Sequence, residues 1–141
     1  MATGIAERTI RNLEQVESMP QSELIEAITR GLPAELVRQL AARMDITMEQ
    51  MAELLRLTPR TLQRRLDEGR LELSESDRLW ELWQLFSRAV EVMESEDAAA
   101  LWLQSPIQAI GWTTPLALAR TAPGLRELQN ILGRIEHGVF S

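Results

Sequence analysis

Cysteine and lysine are both absent from this chain, and histidine occurs once, as His137. Without cysteine there can be no disulfide and no thiolate metal site, a pattern that fits a reducing cytoplasm. A histidine–thiolate metal centre is excluded. A Ser-His-Asp arrangement would have to use the single histidine, beside a helix end. The four aspartates are scattered, and a pair such as Glu94 and Asp97 reads as a solvated helix cap. Catalysis is therefore not expected, and no cofactor is implied. No apolar run approaches ~18 residues, so no membrane-spanning helix is expected. The first residues, Met1 to Arg8, lack the apolar core of a signal peptide. The alternation typical of strands is missing throughout, as are repeats and low-complexity tracts.

Hydrophobic residues make up 45% of the 141 residues, enough for a core of ordinary domain size. The formal charge is −6, from 15 basic and 21 acidic residues, which is not the composition of a generic polyanion binder. The charge is uneven, however. Between Arg56 and Arg70 five arginines face Asp67 and Glu68, a local +3. Coulomb attraction to phosphate is screened over about 10 Å at 0.1 M salt, so the local patch outweighs the total. An all-arginine basic set suits bidentate contacts to guanine or phosphate. It also follows from genome composition.

The densest signal is Thr58-Pro-Arg-Thr-Leu-Gln-Arg-Arg-Leu66. Thr58 can cap a helix and Pro59 suits its first position. Leu62 and Leu66 are four apart and can bury, leaving Arg60, Thr61, Gln63, Arg64 and Arg65 outside that stripe. Upstream, Thr47 to Leu55 reads as a capped helix, with Gln50 at the capping-box position. Two short helices, the second rich in arginine, read as a helix-turn-helix with its second helix aimed at the DNA major groove. Arg60, Thr61 and Arg64 would then face bases or phosphates, Thr47, Arg56, Arg65 and Arg70 would hold backbone, and Gln63 is a further DNA-binding candidate. Arg56 stands in the turn where many such motifs have glycine, and a left-handed backbone there costs arginine on the order of 1 kcal/mol. The bland alternative is a solvated arginine face. Specific affinity would require two motifs paired about one DNA turn apart.

Elsewhere the pattern predicts roughly seven to nine short helices and an all-α fold. Residues 1–30 form an N-terminal arm and helix, of which 1–20 read as loosely held. Residues 31–73 form the helix-turn-helix region, and residues 74–141 a long helix plus a smaller helical domain. Ser74 to Asp77 looks like the cap of that long helix. Thr121-Ala-Pro-Gly124 reads as a break before a last helix from Leu125 to about His137. Trp80, Trp83, Trp102 and Trp112 are expected mostly in the core. Trp80, with Trp83 on the same long helix, is the candidate dimer contact. The final residues Val139, Phe140 and Ser141 either fold back onto the core or form an apolar probe for a partner's pocket.

The arginine helix, Leu73-Ser-Glu-Ser-Asp-Arg-Leu79, Ala99 to Pro106, Gly111, Thr114-Pro-Leu116, Gly124 and Leu132 to Val139 together resemble the Xre/MbcA/ParS antitoxins, over about residues 30–141. Three positions depart from that pattern. They are Arg56, Ser105-Pro-Ile-Gln108 in place of a frequent proline–asparagine pair, and Trp112 where a second glycine is common. The resemblance implies an Xre-like helix-turn-helix bundle followed by a small helical toxin-binding domain, in a type II antitoxin. The implied partners are a RES-domain toxin that consumes NAD or uses it for ADP-ribosyl transfer, operator DNA, and a second copy of the chain. The implied toxin contacts are Trp102, Arg134, Glu136, His137, Gly138, Val139, Phe140 and Ser141. The implied DNA contacts include Arg60, Thr61, Arg64 and Arg65. A regulator without a toxin, and a helical adaptor without DNA binding, are the competing readings.

Overall fold

The computed structural model describes residues 9–138. Among these residues there are nine α-helices and no strand beyond two isolated bridges, which is the all-α class expected. The helices are α1 (Leu13–Glu17), α2 (Gln21–Arg30), α3 (Glu35–Met44), α4 (Met48–Leu55), α5 (Pro59–Glu68), α6 (Leu73–Met93), α7 (Glu96–Leu103), α8 (Pro115–Leu118) and α9 (Ala122–Glu136). None of them is long and apolar enough to cross a membrane. The chain divides into two compact units, and the division falls inside α6, between Trp80 and Glu81.

The first unit holds the described residues up to Ala42, together with Thr47–Trp80. From residue 9 on, its beginning differs from the loose arm expected for residues 1–20, of which residues 1–8 lie outside the described residues. Asn12 and Gln15 form a reciprocal capping box that starts α1. Leu13 and Val16 are fully buried, and Gln39 Nε2 donates to the Arg11 carbonyl at 2.8 Å. Two apolar side chains and a long-range hydrogen bond outweigh the polar composition of that stretch. Further along, Leu71 N–H donates to Leu32 O at 2.9 Å and Ala34 N–H to Gly69 O at 3.1 Å, so residues 31–34 clasp residues 69–71. Only glycine serves at position 31: φ is +100°, and a Cβ there would lie 2.1 Å from Leu71 O.

The start of α6 belongs to this unit because its polar side chains face inward. Ser76 is fully buried, and its Oγ accepts the Leu32 N–H at 2.8 Å. Arg78 is also buried, and its Nε donates to the Leu54 carbonyl at 2.9 Å. The cap expected at Ser74 sits earlier: Ser74 is already helical, and the Glu75 carboxylate takes the Glu72 N–H at 2.9 Å. An N3 glutamate reaching back to the residue before the helix is half of a capping box.

The second unit holds Arg43–Ile46 and the described residues from Glu81 onward. The Arg43 guanidinium lies over the Trp83 ring, 4.9 Å from its centroid, and its Nη2 is 2.7 Å from Glu96 Oε2. Gln104 Nε2 donates to the carbonyls of Met44 and Asp45, at 3.1 and 3.0 Å. Thr121-Ala-Pro-Gly124 is not a break but the entry to α9: Thr121 accepts the Gly124 N–H and Pro123 sits in the first turn. Gly124 lets α9 approach α8 closely, since a Cβ there would fall 1.8 Å from Leu118 O.

Candidate nucleic-acid interface and C-terminal binding segment

The helix-turn-helix is built from two capped helices and a strained turn. Thr47 and Gln50 close a capping box at α4. Thr58 accepts the Thr61 N–H and Pro59 occupies the first turn of α5. Between them Arg56 ends α4 in the left-handed conformation, φ 62° and ψ 38°. The backbone there is the one a glycine would take, so the motif keeps its turn geometry and carries the strain on an exposed arginine. Gly69 ends α5 in the same conformation.

Arg60, Gln63 and Arg64 are exposed on α5, and Thr61 is half-buried. Spacings of three and four residues put the first three on one helical face. Thr61 Oγ1 lies 3.0 Å from Thr58 Oγ1, and Gln63 Nε2 donates to Asp67 at 3.0 Å.

Arg65 differs from the expectation of an outward, DNA-holding side chain. It is buried, at 7% exposure, while Leu66 is only half-buried. The buried stripe of α5 therefore runs Leu62–Arg65. Arg65 Nε donates to Glu75 Oε1 at 2.8 Å, and its terminal nitrogens lie 3.7 Å from Glu68 and 3.4 Å from Glu72. Its pKa is raised by the hydrogen bond to Glu75, against desolvation, with the three carboxylate charges adding to the rise. For Glu75, burial pushes the carboxyl up. The hydrogen bond from Arg65, the Glu72 N–H and the Arg65 and Arg64 charges outweigh burial and hold it below its ordinary value. Arg65 thus fastens α5 to α6 and is unavailable to phosphate. Arg70 is likewise engaged, with Nη1 donating to Gly31 O at 2.8 Å.

These fasteners escape sequence reasoning because buried arginine and glutamate look identical to exposed ones in a periodicity plot. The one available signal was Glu75 at the third position of a helix, a capping site.

The C-terminal candidates are spread over α7 and α9. Trp102 is half-buried and Arg134, Glu136, His137 and Gly138 are exposed. Arg134 Nη2 lies 3.7 Å from Glu127 Oε2, and Glu136 pairs with Arg88 of α6. His137 caps α9, and Gly138 turns away with φ +69°. Val139, Phe140 and Ser141 lie outside the described residues. Of the proposed dimer contacts, Trp80 is half-buried, whereas Trp83 is 4% exposed beneath Arg43. Trp83 is therefore buried within the second unit and offers almost no surface to a second copy.

Comparison with known proteins assigns both halves. Residues 23–82 match the antitoxin Xre-like helix-turn-helix domain, and residues 88–138 match the antitoxin Xre/MbcA/ParS C-terminal toxin-binding domain. The chain is 28% identical over 120 residues to Antitoxin Xre of Yersinia enterocolitica, covering 84% of this chain and 81% of that one. It is 28% identical over 116 residues to Antitoxin Xre of Photorhabdus laumondii, covering 81% and 78%. Its fold is similar, with a TM-score of 0.58 at 22% identity, to a chain in the crystal structure of the M. tuberculosis MbcT-MbcA toxin-antitoxin complex, covering 77% of this chain and 96% of that one. With both characteristic domains present in order, the chain belongs to the Xre/MbcA/ParS antitoxin family.

Proposed function

We propose that this chain is a type II antitoxin. It silences a RES-domain, NAD-consuming toxin with its C-terminal region and represses its own promoter through the helix-turn-helix. The observation that carries the reading is the pairing, in one chain, of a braced helix exposing Arg60, Gln63 and Arg64 with a C-terminal domain of the toxin-binding type. Arg60 and Arg64 would contact phosphates or guanine edges, with Arg56 reaching phosphate at the turn. Arg65 acts at one remove, by fixing the angle of α5. Two copies would read two half-sites about 34–36 Å apart.

Inhibition by occupancy needs no chemistry from the antitoxin. A toxin working on NAD must hold an anionic pyrophosphate, and an acidic chain of net charge −6 suits an electropositive cleft. The segment after α9 (His137 to Ser141), with Arg134, Glu136 and Trp102, would make the blocking contact. The test separates the two functions. Deleting residues 138–141 should restore toxin activity in co-expressing cells, and continued protection would refute this role for the tail. Arg60→Ala with Arg64→Ala should abolish promoter binding in a gel-shift titration while protection persists. Loss of both activities together would show that the halves do not act separately.

A further inference from the structure

Trp112 combines two features unfavourable to a free protein. It is 65% exposed, and its φ of +67° is left-handed, a conformation that is a genuine outlier for so bulky a residue. The loop is tightly made. Trp112 N–H donates to Ile107 O at 2.9 Å, and Ile107 N–H to Thr113 O at 3.0 Å. A 3-10 turn, Gln108–Ile110, lies between. A defined backbone therefore holds the indole outward in strain.

The adjoining sequence indicates what it meets. Residues 98–119 carry no charged side chain, in a chain that is 26% charged. Leu101, in the same stretch, is 70% exposed. Phosphate or nucleotide recognition would need cations there. A charge-free stretch of sequence that carries exposed aromatic and aliphatic side chains instead fits the composition of a protein–protein interface core. The loop lies within residues 88–138, the region matching the toxin-binding domain.

We propose that Trp112 anchors this antitoxin to its cognate toxin by entering an apolar recess on that protein, and so sets partner specificity at a point away from the tail. The inference rests on the toxin-binding reading above. Strain stored at an interface residue gives the test a distinctive form, because removing the side chain should help the free protein and harm the complex.

The experiment measures, by calorimetry, binding of the full chain to the inactivated toxin from the adjacent reading frame, alongside the melting temperature of the free chain. Trp112→Gly should weaken binding by at least about tenfold and leave the melting temperature equal or higher, with Trp112→Phe intermediate in affinity. Unchanged affinity of Trp112→Gly, while wild type binds, overturns the anchor and leaves the toxin reading standing. A lower melting temperature for Trp112→Gly makes the residue structural and also overturns it. Concentration-dependent self-association lost in Trp112→Gly would assign the surface to a second copy. Failure of the wild type to bind at all removes the toxin reading and the anchor with it.

Discussion

The two units of this molecule differ in where they put their polar groups. In the first, charged and polar groups are taken inside: Arg65 with Glu75, Arg78 on the Leu54 carbonyl, Ser76 on the Leu32 amide. In the second, the ion pairs Arg43–Glu96 and Arg88–Glu136 are partly exposed, and Leu101 and Trp112 stand out at 70% and 65% exposure, beyond the 57% and 51% of Ile25 and Leu73 in the first. A buried charge pair is weak evidence for stability but can fix orientation, which would suit α5 in the proposed role of entering a DNA groove. Exposed apolar surface stabilises nothing by itself, but it is what a partner protein can cover.

The largest expected effect tests the clasp of the first unit. Gly31→Ala meets both a positive φ and a backbone oxygen 2.1 Å from the new Cβ. It should cost about 4 kcal/mol or more, read as the urea midpoint of the full chain. Gly124→Ala meets a backbone oxygen at 1.8 Å without the positive φ. Its damage should be smaller and centred on α8 and α9, as hydrogen exchange would resolve. Equal loss of protection in both units from either change would erase the distinction between them.

Next is the Arg65–Glu75 pair. Glu75→Ala leaves a buried guanidinium with only the more distant Glu68 and Glu72, and should cost about 3 kcal/mol. Replacing both partners by apolar residues, Arg65→Met with Glu75→Leu, should be much milder in stability. Acid sharpens the same point. The folded-state pKa of Glu75 is lowered from its ordinary 4.5. Its contribution is therefore complete above the unfolded value and is lost as pH falls through the folded one. Wild type should lose stability on acidification below about pH 4.5, and Glu75→Gln should show a shallower slope there. An identical slope would mean that other carboxylates carry the acid sensitivity.

How far the sequence foretold this architecture follows from the same contrast. Local chemistry was legible: the caps at Thr47 and Thr58, and the all-α class with its helix-turn-helix. At Arg56 the sequence left open whether the turn keeps a left-handed backbone, and the structure shows that it does, with φ 62°. Tertiary choices were not legible. Whether Leu66 or Arg65 faces inward cannot be decided along α5, because spacings of three and four from Leu62 are both helical. The choice depends on Glu75, ten residues away on another helix. Trp83 was expected in the core and is buried, at 4% exposure; what the sequence did not show is that Arg43 lies over its ring. At Thr121-Ala-Pro-Gly124 the residues that punctuate chains are also those that start helices. Only the close approach to Leu118 separates the two outcomes.

The smallest effect falls at Arg56, and there stability and function should diverge. A left-handed arginine costs roughly 1–2 kcal/mol relative to its ordinary backbone. Arg56→Gly should therefore stabilise the free chain by about 1 kcal/mol or slightly less, since glycine also loses more freedom on folding. If the residue is kept because its cation reaches a DNA phosphate, promoter affinity should fall despite the gain. The plot of log affinity against log salt should then flatten by about one phosphate contact. Arg60→Ala, on the exposed face of α5, should flatten the same plot with stability within about 0.5 kcal/mol of wild type. A stabilised Arg56→Gly with wild-type DNA affinity and salt slope would mean that the turn bears strain without return. The DNA-facing surface would then shrink to α5 alone.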